Sequence, residues 1–195
     1  MKTLSVVLTA CFVFVLLSCS KGKETLDKTA TGPEDLRGTE AAGATGAKLS
    51  GSGLALGIAK VSLKPGEREV ILPVELRNTE GPIKAVQIVL SYDTHLVRLR
   101  EIKRTDRTRD ISVFLSNTEV PGKIRLAIID LGTNEIPSGT GPIAQMVFDL
   151  SSGLSSGTKT ELIFSVDGDR ETAVFDGDGN YYPIRVENGV LTISS

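Results

Sequence analysis

The chain has 195 residues, with 22 Lys and Arg set against 24 Asp and Glu for a formal charge of −2. That near-balance gives no electrostatic reason for nucleic acid as a partner. Two cysteines near the start, Cys11 and Cys19, and a single histidine, His95, exclude a disulfide framework, a thiolate cage and a multi-histidine metal site, and leave little for a catalytic triad.

Residues 1–18 read as a targeting segment. Lys2 supplies the positive charge, and Leu4 to Leu17 is an uncharged, mostly apolar run, too short for a comfortable permanent span. It ends in Leu16-Leu17-Ser18-Cys19, which resembles the lipobox of bacterial lipoproteins. The resemblance implies a diacylglyceryl group on Cys19 and cleavage just before it, with Cys11 removed. Two or more acyl chains give stable anchoring where one gives marginal binding. Ser20 in place of Asp favours the outer membrane or cell surface, by analogy with lipoprotein sorting. The expected location is the bacterial cell envelope, with the membrane touched through the lipid alone. Residues 19–53 then form a linker rich in Thr, Ala, Gly, Ser, Glu and Lys, as in Ser50-Gly51-Ser52-Gly53. Such a stretch buries too little apolar surface to offset its ordering entropy.

Residues 54–195 carry the period-2 pattern of strands between turn signals. Hydrophobic residues make up 40% of the chain and aromatics only 5%, so the core rests on Val, Ile and Leu, which suit a pleated surface. Val70, Leu72, Val74 and Leu76 alternate with Ile71, Pro73, Glu75 and Arg77. Val86, Ile88, Leu90 and Tyr92 form one face of the next strand, and Ile124, Leu126 and Ile128 follow the Pro121-Gly122 turn. Ala144, Met146, Phe148 and Leu150 come after the break at Ser138 to Pro142. Leu162, Phe164 and Val166 come next, and a last strand runs near Val190 to Ile193. About nine strands without a helical period predict an all-β jelly-roll sandwich.

Several segments carry a family resemblance by their order along the domain. They are Val74-Glu75-Leu76-Arg77-Asn78, Gly81-Pro82-Ile83-Lys84-Ala85-Val86-Gln87, Leu90-Ser91-Tyr92-Asp93 with Leu96, and Gly122-Lys123-Ile124-Arg125-Leu126-Ala127. Gly141-Pro142-Ile143-Ala144, Val147-Phe148-Asp149-Leu150 and the terminal Asn188-Gly189-Val190-Leu191-Thr192-Ile193 complete the set. In this order the domain is similar to a cohesin domain, a nine-stranded sandwich related in fold to some carbohydrate-binding modules. The resemblance implies a protein partner, dockerin-like or another envelope or extracellular protein. The chain departs from the family at Thr94, where Pro usually follows Tyr-Asp. It departs again at Ala85 and Gln87, where Asn and Asp often stand on the outer face.

Side-chain alternation selects the candidate partner face. With Val86, Ile88 and Leu90 inward, Ala85, Gln87 and Val89 point outward; with Ile124, Leu126 and Ile128 inward, Lys123, Arg125, Ala127 and Ile129 do. The resemblance makes these two strands neighbours, giving a mixed apolar and basic surface of the kind that marks protein contacts. Asp176, Asp178 and Asn180 place three oxygen-bearing side chains at alternate positions, as a Ca²⁺ loop does. No Glu follows at the twelfth position, and we read the segment as an Asp-Gly hairpin turn, with Ca²⁺ the alternative and no other cofactor. Asp167 and Asp169 are read as a turn as well. Arg98, Arg100, Lys103, Arg104, Arg107 and Arg109, diluted by Glu101, Asp106 and Asp110, are read as a solvated strand and loop able to flank an acidic partner. Tyr181 and Tyr182 are the residues available for direct sugar contact, which makes a polysaccharide-binding module the alternative function, with a structural envelope subunit as the other. No nucleophile elbow is present, and the chain is read as a non-catalytic, membrane-anchored binding module.

Overall fold

In the computed structural model, the described residues are 49, 53–79, 81–166 and 171–194. All belong to the second of two units, Gly38–Ser195. The targeting segment, Cys19, most of the linker and the Asp167/Asp169 pair lie outside the described residues. Strands form where branched aliphatics alternate and end where Gly, Pro, Asn or Asp intervene. In chain order they are β1 (Ala55–Ile58), β2 (Lys60–Leu63), β3 (Glu69–Arg77), β4 (Ala85–Ser91), β5 (Val97–Arg104), β6 (Val113–Asn117) and β7 (Lys123–Ile129). They continue with β8 (Thr140–Leu150), β9 (Lys159–Phe164), β10 (Ala173–Phe175), β11 (Tyr181–Tyr182), β12 (Arg185–Glu187) and β13 (Gly189–Ile193). A single 3₁₀ turn, Asp106–Thr108, links β5 to β6.

Two sheets face each other. One has the order β12-β1-β3-β8-β5. The other runs β11-β10-β4-β9-β13-β2, with β7 paired to β4 and β6 to β7. The expected β-sandwich is therefore what the chain forms. Val70, Leu72, Val74 and Leu76 of β3, Val86, Ile88 and Leu90 of β4, and Ile124, Leu126 and Ile128 of β7 all enter one core. Each fully buried Leu or Ile contributes roughly 1.5–3 kcal/mol by leaving water. Tyr92 meets Phe148 edge-to-face at 5.3 Å between ring centres. The alternation stops sooner than expected in one place. β9 ends at Phe164; Ser165 still donates to the Val89 carbonyl, and Val166 beyond it is 40% exposed.

Pro73 sits inside β3, a strand with neighbours on both sides, although proline cannot donate to a ladder. The register resolves this. β1 reaches only from Val74 to Arg77, so at Pro73 the strand has a partner on the β8 side alone.

The outer surface of the five-stranded sheet carries its own anchor. Leu76 is in the core, so Arg77 points outward, yet it is only 5% exposed. Its Nε donates to the Gly53 carbonyl and its Nη1 to the Leu49 carbonyl, each at 2.8 Å. Leu49 lies over Gly57, where a Cβ would come within 2.4 Å of the Leu49 Cδ2. Leu49 and Gly53, ahead of β1, are thus fastened to this sheet.

Candidate functional site

The register across β6, β7, β4 and β10 assembles the other outer surface row by row. Val113 pairs with Ile129, Ile129 with Ala85, Ala85 with Phe175, and Phe175 with Tyr181. The next row is Leu115, Ala127, Gln87 and Ala173. The third is Asn117, Arg125 and Val89. Paired residues share a face, so these side chains lie together on the side away from the core. Leu131 lies two residues past the end of β7. Leu131 is 75% exposed, Leu115 52% and Tyr181 50%. Contiguous exposed apolar side chains on a flat sheet mark a contact surface rather than random surface leucines.

The six residues expected on this surface are on it, with unequal access. Ala85 and Val89 are each only 8% exposed, because β10 and the end of β9 crowd β4 on that edge. Ala127, Ile129, Gln87 and Arg125 are half-buried. Gln87 is committed locally, its amide donating to the Glu171 carbonyl at 2.8 Å. Arg125 differs: its Nε is buried without a hydrogen-bond partner, and no carboxylate of the described residues forms an ion pair with it.

Three devices hold the surface in shape. First, β4 is bordered along one edge by β10 at Ala85 to Gln87 and by β9 at Leu90 and Ser91. Val89 sits between them, and there the buried Thr172 hydroxyl accepts from the Val89 N–H at 3.1 Å and donates to the Val89 carbonyl at 3.2 Å. The side chain thus fills the gap between the two strands, beside the Ser165 N–H that also reaches the Val89 carbonyl at 2.9 Å. Second, Asp130 ends β7 as a buried hub. It accepts from the Ser112 hydroxyl at 2.5 Å, the Ser112 N–H, the Gly132 N–H and the Lys84 ammonium at 3.2 Å. These donors, the Ser112 hydroxyl foremost, pull its pKa down to about 2 against the opposing effect of burial. Third, Arg104 lies 5.0 Å over the Phe114 ring and donates to the carbonyls of Thr108 and Ile111, tying β6 to the β5 edge.

The remaining candidate residues settle elsewhere. The Asp176 carboxylate accepts from the N–H groups of Asp178 and Asn180 and from the Asn180 amide, all within 2.9 Å. The Asn180 amide leads the interactions that lower its pKa. These are the bonds of a tight turn closing the β10–β11 hairpin, with Gly179 at φ 80°. Among the described residues no cluster of three His, Cys, Asp or Glu gathers as a metal site would need. Tyr181 shares the outer face with Phe175, but the rings meet at 68°, so they offer no flat strip to a sugar ring. Tyr182 pairs with core residue Val174 and faces the opposite side.

Of the basic run, Arg98, Arg100, Lys103, Arg104 and Arg109 are exposed, as a solvated strand and loop would have them, and Arg107 is the exception. Arg107 is half-buried and donates to the carbonyls of Leu76, Gly141 and Pro137 and to the Asn78 side chain. Burial lowers its pKa, with the nearby Glu75 charge opposing. Arg100 pairs with Glu69 and Asp149, Lys103 with Glu101, and Arg109 with Asp106. Arg104 meets carbonyls of the β5–β6 connection and Arg107 meets carbonyls of β3, β8 and the loop before β8; a guanidinium suits both positions because it serves several acceptors at once.

Sequence reasoning missed Val113, Leu115, Leu131, Ala173 and Phe175. β6 and β10 have five and three residues, too few for alternation to stand out. The available signal was Val113 and Leu115 flanking Phe114 in a stretch without charge.

The family model described as "Cohesin domain" matches residues 54–180. A solved structure of the sixth cohesin of Acetivibrio cellulolyticus scaffoldin B, in complex with a mutant Cel5 dockerin, is 23% identical. It covers 73% of this chain and 99% of its own, with a TM-score of 0.62. A cohesin from Clostridium thermocellum in a type I cohesin–dockerin complex is 22% identical over 73% of this chain and 99% of its own, with a TM-score of 0.61. A non-cellulosomal cohesin from the archaeon Archaeoglobus fulgidus is 22% identical over 74% of this chain and 93% of its own, at a TM-score of 0.59. No curated protein sequence matches the chain.

Proposed function

The chain belongs to the cohesin domain family, and from that premise we propose that it is a non-catalytic module that captures a protein partner on the outer face of β6, β7, β4 and β10. One observation carries the reading: the apolar rows ending in Leu115 and Tyr181 lie exposed on a sheet whose central strands β7 and β4 are paired on both sides. Dockerin modules are the first partners to test, since related cohesins are solved in complex with them. The outer positions Ala85 and Gln87 of β4 lack the Asn and Asp usual in the family, which argues for a partner with its own specificity.

The lipobox-like Leu16-Leu17-Ser18-Cys19 supports a second part of the proposal, anchoring to the cell envelope through lipid on Cys19. A tethered module raises the effective concentration of whatever it holds. Incorporation of a labelled fatty acid into the wild type but not into Cys19→Ser tests the anchor.

The binding test titrates the full chain against a panel of recombinant dockerin modules, beside a Leu115→Asp/Ala127→Asp variant. Leu115 is exposed, so circular dichroism of the variant should match the wild type. A dockerin bound by the wild type and weakened at least about tenfold in the variant places the contact on this face. Equal binding to both proteins rejects the face, and no binding to any dockerin rejects that partner class.

A further inference from the structure

We propose that the chain carries a second binding site, beside β5 and β8 of the five-stranded sheet, that takes a carboxylate borne on a small hydroxylated body and anchors it on Arg104. The site is a cavity of about 520 Å³ where the end of β5 and the 3₁₀ turn meet β8. That volume lies within the range of roughly 300–1,000 Å³ common to small-ligand sites. Its charged wall is Arg104, Arg107, Arg109 and Asp106, with Thr105 and Gln145 as neutral polar groups. None of these residues stands in the three rows of the docking face, so the two readings stand or fall separately.

The three guanidinium groups are not equally available. Arg107 spends Nη1 and Nη2 on four acceptors and lies beside the buried Glu75, whose charge acts on it. Arg109 pairs with Asp106. Arg104 pairs with no carboxylate among the described residues, and its bonds to the Thr108, Arg109 and Ile111 carbonyls all leave from Nη1. Its Nε and Nη2 are left over. Their N–H bonds run parallel along one edge of the guanidinium, the fork that meets both oxygens of a carboxylate. The Nη1 bonds and the Phe114 ring, 5.0 Å away, hold this fork in place, so a ligand has little rotamer freedom to freeze.

Charge and lining then define the ligand. The Arg104 charge calls for an anion, while Asp106 on the same wall opposes a second negative charge. A monoanionic carboxylate therefore fits better than a phosphate, which carries nearly two charges at neutral pH. Gln145 is half-buried, and its amide makes no hydrogen bond with the described residues, which leaves it a donor and an acceptor for hydroxyl groups. The Thr105 hydroxyl donates to the Pro142 carbonyl at 2.6 Å and keeps acceptor capacity. Pro142 is the single apolar residue of the lining, so the body that fits is hydroxylated, as in a uronic acid unit.

The test titrates the isotope-labelled full chain with galacturonate and its short oligomers, beside galactose and inorganic phosphate, following the arginine Nε–H signals and the heat of binding. The expected result is saturable binding of galacturonates, with a shift of the Arg104 Nε–H signal, identified by its loss in Arg104→Lys. Arg104→Lys keeps the charge and loses the fork, and should raise Kd about tenfold. Gln145→Glu removes no hydrogen bond of the structure and gives the cavity a carboxylate of its own, so it should weaken binding at least about tenfold. Circular dichroism checks that both variants fold. Absence of saturable galacturonate binding, equal binding of galactose, or a preference for phosphate overturns the proposal. So does binding left unchanged by either Arg104→Lys or Gln145→Glu; the second variant keeps the test decisive should the first disturb the β5–β6 connection.

Discussion

Thr172 offers a direct test of how the sheet edge at β4 is completed. Its hydroxyl accepts the Val89 N–H and donates to the Val89 carbonyl, and the residue is 1% exposed. Thr172→Val keeps the shape and removes both bonds. The two backbone groups then fare differently. The Val89 carbonyl keeps the Ser165 N–H at 2.9 Å, while the Val89 N–H keeps nothing. One orphaned buried amide costs about 1–3 kcal/mol. With a urea slope of about 2 kcal/mol per molar, the unfolding midpoint should fall by roughly 0.5–1.5 M. Thr172→Ser keeps the hydroxyl and gives up one buried methyl, also about 1 kcal/mol, so global stability alone does not separate the variants. Hydrogen exchange does. The Val89 amide should lose most of its protection in Thr172→Val and retain it in Thr172→Ser after correction for global stability. Unchanged protection in Thr172→Val, or equal loss in both, would refute the reasoning.

Two glycines give a paired prediction. A Cβ on Gly189 would lie 2.6 Å from the Ile58 Cγ2 and 2.9 Å from its Cβ, atoms fixed by β1; on Gly57 the nearest atom is the movable tip of Leu49. Thermal melts by circular dichroism should show Gly189→Ala losing about 3–8 °C, with Gly57→Ala close to wild type; equal losses would contradict the distinction. Asp130 predicts an acid limit. Its folded pKa lies below the ordinary carboxylate value of 3.8, at about 2, so its stabilisation is complete above pH 4 and lost as pH falls toward 2. The stability difference between wild type and Asp130→Asn, followed by melts from pH 6 to pH 2, should shrink across that window, and a constant difference would reject the role given to the Ser112 hydroxyl and the Lys84 ammonium.

How much of this was legible in the sequence differs by element. β3, β4, β7 and β8 are long enough for alternation to assign each residue to a side, and their aliphatic faces are those found in the core. The pairing of β4 with β7 followed from the family resemblance, not from periodicity. Alternation gives the side of a sheet but not what crowds it, which is why Ala85 and Val89 are on the expected face and yet nearly covered. β6 and β10 are short, and their place on the face depends on pairings between residues far apart in the chain, such as Phe175 with Ala85. Arg107 reads as surface charge because no local pattern tells that the carbonyls of Leu76, Gly141 and Pro137, distant from it in the chain, converge on its guanidinium. That information resides in the loops' three-dimensional path.

The Arg77 strap has a mechanical consequence. It fastens Leu49 and Gly53, ahead of β1, to the outer side of one sheet, while the proposed docking face is the outer side of the other. A pull on the chain before Leu49, opposed by a load on the docking face, would therefore pass through the whole thickness of the sandwich. It would enter through β1, which is flanked by β3 and by β12 and is not an edge. Force along such a strand loads the hydrogen bonds on both sides together in shear, where an edge strand would peel open one bond at a time. The same two-sided pairing that places β1 in the core sheet thus makes the entry point of the domain a grip.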